Sequence, residues 1–226
     1  MENIVIGIEG YVGAGKSALC NELLKFVPNS ILLDGGNFYR AIVYSIMKSG
    51  INLEELKQTI KNVDIKSIME KLKVSFNIEN RVTCIYINGE KVDFEKLQSR
   101  SSSIAVSEVG GIADNKNLYI FARNIIENLK TKFNVIVSGR DLMQIYPGLD
   151  YHFMITASLE ERIRRKCIQY GNNADLEIIK NEIIKRDELQ KQAGYYNIYE
   201  NTIEIDVTEC KSPEESAKKV LEYIKF

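Results

Sequence analysis

Several residue types that mark particular protein classes are scarce or missing in this chain of 226 residues. It has no tryptophan, three prolines and one histidine, and its four cysteines form no C-x-x-C pair. A zinc site built from cysteine and histidine is therefore not expected, and the cysteines are predicted to stay reduced, as in the cytoplasm. The lone His152 lies inside the apolar run 151–155, where it is predicted to occupy a strand.

The chain also lacks long apolar runs and an excess of charge of either sign. Its first apolar run has only five residues, so neither a transmembrane helix nor an N-terminal signal peptide is predicted. The formal net charge is −1, which gives no broad attraction to nucleic acid or to an anionic membrane. We therefore expect a cytoplasmic monomer that acts on small molecules, with neither nucleic acid nor a membrane as a partner.

What the chain does have, close to its start, is a phosphate-binding motif. The segment 10–17, Gly-Tyr-Val-Gly-Ala-Gly-Lys-Ser, fits G-x-x-x-x-G-K-[ST], in which backbone N–H groups surround nucleotide phosphates. An apolar run over 4–8 precedes it and predicts a strand, and apolar residues at helical spacing follow it as far as Val27. A glycine-rich turn could meet the pattern by chance, but this flanking context favours binding of a nucleoside triphosphate.

The motif assigns roles to its own residues. The Lys16 ammonium is predicted to reach the β- and γ-phosphates of ATP, and the Ser17 hydroxyl is predicted to hold Mg²⁺. The predicted ATP-binding residues are Gly10, Tyr11, Val12, Gly13, Ala14, Gly15, Lys16, Ser17 and Ala18.

Apolar runs alternate with stretches of helical spacing along the rest of the chain, a pattern typical of an α/β fold. We predict a P-loop NTPase fold with a five-stranded parallel sheet and helices on both faces, its strands near 4–8, 31–33, 133–137, 152–155 and 202–207. Two alternating stretches, 74–78 and 82–87, predict a β-hairpin that cannot readily belong to the parallel core. We therefore expect a single domain, 1–226, with a small subdomain inserted into its parallel core.

Charged residues follow two of the predicted strands. Tyr39 and Arg40 come soon after the strand ending at Asp34, and Arg140 and Asp141 follow the strand 133–137. Ligands of open α/β sheets bind beyond the carboxyl ends of the strands, so an arginine there could hold a phosphate. A surface arginine or a structural ion pair would give the same pattern, and these alternatives stay open at this point.

A basic run occupies the predicted helix after the strand 152–155. It contains Arg162, Arg164, Arg165 and Lys166. Such a run is usually the solvated face of a helix, but after a core strand of a phosphate-handling fold it could also stabilise the charge of a transferred phosphoryl group.

The order of these motifs resembles that of the bacterial cytidylate kinases, which are P-loop nucleoside monophosphate kinases. The resemblance spans nearly the whole chain, and the matching segments after the phosphate-binding loop are 34–40, 87–92, 107–109, 138–141, 157–162, 186–187 and 205–208. It implies transfer of the γ-phosphoryl group of ATP to CMP or dCMP, with Mg²⁺ as cofactor. It also implies a single kinase domain with a core of 1–50 and 131–226, an inserted acceptor-binding subdomain over about 51–112 and a lid over about 163–190.

The resemblance also implies roles for individual residues. The acceptor would be held by Asp34, Tyr39, Arg40, Ser107, Lys116, Arg140, Asp141 and Arg186, of which Ser107, Lys116 and Asp141 would read the cytosine edge. Lys16, Arg162, Arg165 and Arg186 would be the catalytic cations, and Asp34 would contact Mg²⁺ through water. A carboxylate can accept from the exocyclic amine of cytosine, which makes the role of Asp141 chemically sensible.

Several positions depart from the family pattern, most of them on the acceptor side. Gly35 stands where the family has serine or threonine, Lys116 where it has arginine, and Ser138 where it has aspartate. Met143 takes the place of a glycine, and in an ungapped register Gln190 and Ala193 replace an aspartate and an arginine that engage the acceptor.

Three functions are therefore compatible with the sequence. The first is a cytidylate kinase with relaxed handling of the sugar, and the second is a kinase of another small acceptor. The third is a nucleotide-binding sensor whose acceptor site has degenerated, since a fold alone does not establish an activity.

Overall fold

The computed structural model describes residues 2–48, 65–93, 116–171 and 175–225. In these ranges the helices are α1 (Lys16–Phe26), α2 (Gly35–Lys48), α3 (Ile65–Lys71), α4 (Lys116–Lys130), α5 (Leu142–Ile145), α6 (Leu159–Tyr170), α7 (Leu176–Gln192) and α8 (Pro213–Leu221). The strands there are β1 (Val5–Gly10), β2 (Ser30–Asp34), β3 (Ser75–Glu79), β4 (Val82–Ile87), β5 (Glu90–Lys91), β6 (Asn134–Ser138), β7 (Tyr151–Thr156) and β8 (Thr202–Asp206). No helix in the described ranges is long and apolar enough to cross a membrane.

The described strands form one sheet in the order β3-β4-β2-β6-β1-β7-β8, with β5 beside β4. Strands β2, β6, β1, β7 and β8 are parallel neighbours, which confirms the predicted five-stranded parallel core. Every residue of β1 is buried, as expected for a central strand that is covered on both faces. His152 lies in β7, as predicted.

Helices cover both faces of this sheet, also as predicted. Because successive side chains of a strand point to opposite faces, Val5 of β1 joins one apolar cluster while Ile6 and Ile8 join the other. Helices α2 and α4 contribute to the first cluster, and α1 and α8 contribute to the second. The carboxyl ends of the parallel strands therefore meet at one edge between two helical layers.

The predicted hairpin forms as antiparallel β3 and β4, but it continues the central sheet. Strand β4 runs parallel to β2, with Leu32 paired to Val82. Leu32 N donates to Arg81 O at 2.8 Å, and Thr83 Oγ1 donates to Leu32 O at 3.1 Å. Strand β4 thus satisfies backbone groups that an edge strand β2 would leave unpaired. The expectation that the hairpin could not join the parallel core was wrong, because only β4 has to run parallel to β2.

The limits of the inserted subdomain fall partly outside the described residues. Residues 49–64 and 94–115 are not described, so the subdomain over about 51–112 stays a prediction, as does the lid over about 163–190.

Candidate active site

The phosphate-binding loop connects β1 to α1, as its motif predicts. Gly10 ends the strand with φ of 150°, and a Cβ there would lie 2.2 Å from Ile155 O in the neighbouring strand. Gly15 caps α1 with φ of 93°, in the left-handed region that glycine adopts without steric cost. The first N–H groups of α1 have no partner within the helix, so the loop and helix together can receive an anion.

Lys16 is folded back onto this loop. Its Nζ donates to Gly10 O at 2.7 Å and to Tyr11 O at 3.0 Å. Burial lowers the pKa of Lys16 well below its ordinary value, and the positive charges of Arg140 and Arg186 lower it further. An anion beside the ammonium would reverse that shift, which is what a phosphate would supply.

A cavity of about 670 Å³ opens above the loop, and most of the predicted site residues line it. Those that do are Val12, Gly13, Ala14, Gly15, Lys16, Ser17, Ala18, Asp34, Tyr39, Arg40, Arg140, Arg165 and Arg186. Gly10, Tyr11, Arg162 and Asp141 lie outside this lining. The fold therefore brings the predicted donor side and much of the predicted acceptor side to one space.

Asp34 and Arg40 are linked by Asn37, a residue to which the sequence assigned no role. Helix α2 begins at Gly35, directly after the last residue of β2. Asp34 accepts from Asn37 N at 3.0 Å and from Asn37 Nδ2 at 2.7 Å, and Arg40 donates to Asn37 Oδ1 at 3.0 Å. Burial raises the pKa of Asp34, while the N–H of Asn37 and the charge of Arg40 oppose that rise.

Two polar groups on α2 are buried without a hydrogen-bond partner among the described residues. They are the Tyr39 hydroxyl and Arg40 Nε, and both residues line the cavity. Buried polar groups are nearly always paired, because an unsatisfied one costs about 1–3 kcal/mol. A ligand with hydrogen-bond acceptors, such as a phosphate, would satisfy both.

Basic side chains crowd the same space. Arg140 donates from Nε to Gln190 Oε1 at 2.7 Å and from its guanidinium to Gly139 O at 3.0 Å. Burial lowers the pKa of Arg186, as do the charges of Arg40 and Arg140. Burial also lowers the pKa of Lys166 to about 8, with further contributions from Arg186 and Arg40. These cations repel one another, so the site favours a ligand of high negative charge.

The two arginines of α6 that were predicted to be catalytic, Arg162 and Arg165, differ in their surroundings. Arg165 lines the cavity and donates to Ala14 O at 2.8 Å and to Glu161 Oε1 at 2.7 Å. Arg162 lies behind the loop, where it donates to Val12 O at 3.1 Å and forms an ion pair with Asp187. In this arrangement Arg162 supports the loop, while Arg165 is placed beside the space for phosphates.

A buried carboxylate that the sequence did not reveal holds the segment after β6. Glu9 accepts from Asp141 N at 3.1 Å and from Leu142 N at 2.6 Å, and His152 Nε2 lies 3.1 Å from Glu9 Oε1. The Asp141 side chain accepts from Tyr119 OH at 2.6 Å, and burial raises its pKa. Glu9 lies directly before Gly10. Its role could not be predicted from the sequence, because its hydrogen-bond partners are over 130 residues away along the chain.

The departures from the family pattern are partly explained by packing. A Cβ on Gly35 would lie 3.2 Å from Ser138 O, so a larger residue there would need the end of β6 to shift. Met143 packs against the apolar cluster that includes Val5. Lys116 is the first residue of α4, and Ser107 lies outside the described residues. Nothing in the described structure explains Ala193, which caps the end of α7.

The fold and this site define a P-loop protein with a phosphate-binding loop that faces a second, basic half-site. The sequence profile of the family described as cytidylate kinase matches residues 6–226. The chain belongs to the cytidylate kinase family.

Individual relatives agree with that assignment. A cytidylate kinase of Clostridioides difficile (strain 630) is 31% identical over 230 aligned residues, which cover 99% of each chain. A cytidylate kinase of Caldanaerobacter subterraneus subsp. tengcongensis is 30% identical, with 98% of this chain and 95% of that protein covered. A crystal structure of a shikimate kinase from Bacteroides thetaiotaomicron aligns with 97% of this chain and 96% of that one, at 13% identity and a TM-score of 0.43, a likeness too weak to show a shared family or function.

Proposed function

We propose that this protein transfers the γ-phosphoryl group of ATP to CMP or dCMP. The observation that carries the proposal is a single cavity lined by Lys16 of the phosphate-binding loop, Arg40 of α2 and Arg140 after β6. One side suits the phosphates of a donor and the other suits the phosphate of an acceptor. An oxygen of the acceptor phosphate would attack the γ-phosphorus, and ADP would leave as the bond to the bridging oxygen breaks.

The protein's part in this reaction is to position charges. Phosphoryl transfer asks little covalent chemistry of the enzyme, so fixed cations that neutralise the moving group dominate the rate. Lys16, Arg165 and Arg186 line the cavity where that charge develops, and Arg162 fixes the loop through Val12. A lid over about 163–190 would exclude water and suppress hydrolysis of ATP.

Acceptor recognition follows from the residues on the opposite side. The unpartnered Tyr39 hydroxyl and Arg40 Nε would donate to the acceptor, and Arg140 would pair with its phosphate. Asp141, with Ser107 and Lys116, would read the cytosine edge. Asp141 is already held by Tyr119 and Glu9, so its carboxylate would meet the base in a fixed position.

The oxygen groups of the site suit Mg²⁺. Ser17 and Asp34 line the same cavity. Among the described residues, no cluster of three or more His, Cys, Asp or Glu side chains could form a metal site from protein ligands alone. Mg²⁺ is commonly bound by one or two protein oxygens together with substrate phosphates. When bound, the ion would neutralise the phosphate oxygens of ATP, with Ser17 as a direct ligand and Asp34 as a partner through water.

Two alternatives are kept for the test. The first is a kinase of another small phosphate-bearing or hydroxyl-bearing molecule that binds in the same cavity. The second is a nucleotide-binding sensor with little activity, which the departures from the family pattern at Gly35 and Ala193 would allow. The orphaned donors on α2 favour an enzyme, because a nucleotide sensor has no need of an acceptor site. The cytoplasmic, monomeric state stays a prediction from composition.

A coupled assay of ADP release separates these functions. It would use ATP and Mg²⁺ with a panel of nucleoside monophosphates, and we expect CMP and dCMP to be preferred. Lys16→Ala should abolish turnover, whereas Lys25→Ala, on the exposed face of the same helix, should not. ADP release that is independent of every monophosphate, with ATP still bound, would contradict the kinase function and favour the sensor.

A further inference from the structure

Gln190 and Tyr196 form a contact between the phosphate-binding loop and the acceptor side. Gln190 is only 8% exposed and lines the cavity, and its Oε1 accepts from Arg140 Nε at 2.7 Å. Tyr196 OH lies 2.8 Å from the same Oε1 and 2.8 Å from Asp187 Oδ1. Asp187 also accepts from Val12 N at 3.3 Å, so the chain of contacts runs from Arg140 to the loop.

The orientation of the Gln190 amide is set by chemistry. Arg140 Nε can only donate, so the atom that faces it must be the amide oxygen and not the nitrogen. Tyr196 is fixed in turn by its ring, whose centroid lies 4.3 Å from that of Tyr11 in the loop. The Gln190 amide oxygen thus fixes the direction of the Arg140 guanidinium, and the Tyr196 hydroxyl holds that amide in place.

The partner that holds Arg140 is neutral, and this matters for an anion site. A carboxylate at position 190 would offer the same oxygen to Arg140 but would cancel its charge. It would also bring a second carboxylate beside Asp187, where Tyr196 has a single hydroxyl proton for both. An amide oxygen orients the guanidinium and leaves its full charge for a ligand.

We propose that Gln190, held by Tyr196, is a positioning residue that orients Arg140 toward the acceptor phosphate without neutralising it. This inference rests on the proposed function, because it takes Arg140 to contact that phosphate. It assigns a purpose to the departure at position 190, where the family pattern has an aspartate. The acceptor site is then altered in charge and not simply degraded.

Gln190→Glu tests the proposal, with Gln192→Glu as its control. Gln192 is exposed on the same helix and undergoes the same change of charge. We expect Gln190→Glu to raise the KM for CMP by about tenfold or more, since the carboxylate would neutralise the guanidinium that pairs with the acceptor phosphate. The KM for ATP should change little, and Gln192→Glu should match the wild type in both constants.

Two further variants identify the route of the effect. Tyr196→Phe keeps the ring on Tyr11 but loses the hydroxyl, and should raise the KM for CMP by a smaller factor. In an Arg140→Met background, Gln190→Glu should raise the KM for CMP by a smaller factor than in the wild type, because the charge it would cancel is gone. An equal rise in that background, or an unchanged KM for CMP in Gln190→Glu, would overturn the proposal.

Failure of the proposed function would be seen separately, as a wild-type chain that does not phosphorylate CMP. Calorimetric titration of CMP, without ATP, into the wild type and Gln190→Glu then decides the inference. Weaker binding by Gln190→Glu supports it, and equal or absent binding in both overturns it.

Discussion

The two halves of the cavity are built in different ways. The proposed donor half is centred on one continuous segment, Gly10 to Ser17, which offers backbone N–H groups and whose position follows from a strand and a helix. The proposed acceptor half is assembled from segments far apart in sequence, at the ends of β2 and β6, in α2 and α7 and at Tyr195, and it presents mostly side chains. A backbone site tolerates sequence change around it, whereas a side-chain site changes with every substitution. This explains why the departures from the family pattern collect on the acceptor side.

Replacing an acceptor arginine should give the clearest separation of the two halves. Arg40→Met removes a buried guanidinium whose Nε has no partner among the described residues. We expect kcat/KM for CMP to fall by about 10²-fold or more, since losing one member of a buried charge pair costs about 2–5 kcal/mol. Steady-state kinetics with CMP varied would measure it. Calorimetric ATP affinity should stay close to that of the wild type, and a parallel loss there would show that the halves are not independent.

The cytosine-reading role of Asp141 is expected to show a smaller effect. Asp141→Ala removes the proposed hydrogen-bond acceptor for the exocyclic amine. It should lower kcat/KM for CMP roughly 5- to 150-fold, which corresponds to a loss of about 1–3 kcal/mol of transition-state binding. ATP binding should be retained, and discrimination against UMP should decrease. Equal losses of CMP turnover and ATP affinity would mean that Asp141 has a structural role. Tyr119→Phe, which removes only the hydroxyl that donates to Asp141, should fall between this variant and the wild type.

The burial of Lys166 and its repulsion by the neighbouring arginines should make the free energy of unfolding depend on pH. The pKa of Lys166 is lowered to about 8 in the folded chain, so between pH 8 and its ordinary pKa of 10.5 the unfolded chain binds more protons. The free energy of unfolding should therefore gain a contribution as pH rises through that window. Urea denaturation at pH 8.0 and 9.5 should show this gain reduced by about 1 kcal/mol in Lys166→Met. A gain of the same size in both proteins would place the titration elsewhere.

The smallest expected effect is the difference in kcat/KM between CMP and dCMP, which differ only in the sugar. With Gln190 and Ala193 in place of charged residues, we expect CMP and dCMP to differ in kcat/KM by less than about tenfold, a difference of 1.4 kcal/mol. Competition between the two acceptors in one assay would measure the ratio directly. Sharper discrimination would point to Tyr195, which lines the cavity and whose pKa is raised to about 12 by burial and by Asp141. Tyr195→Phe should then reduce the ratio.

Local patterns predicted the core of the fold and the position of the loop, and long-range contacts were beyond them. Alternation and apolar runs identified the five parallel strands, because those signals are contained within each segment. The place of the hairpin depended on which edge of the sheet had unpaired groups, which no single segment encodes. Glu9 and Gln190 were missed as partners of Asp141 and Arg140 for the same reason, since those contacts join residues 132 and 50 positions apart.

The two carbonyl contacts of Lys16 have a consequence for how ligand binding is measured. The ammonium is already bonded to two carbonyls and partly withdrawn from water when the chain folds, so folding bears part of the cost of its dehydration. A triphosphate then exchanges the carbonyl partners of the ammonium for charged ones. Occupancy should therefore make the folded chain more resistant to heat, and ranking nucleotides by the protection they give would order them by the charge they bring to this lysine.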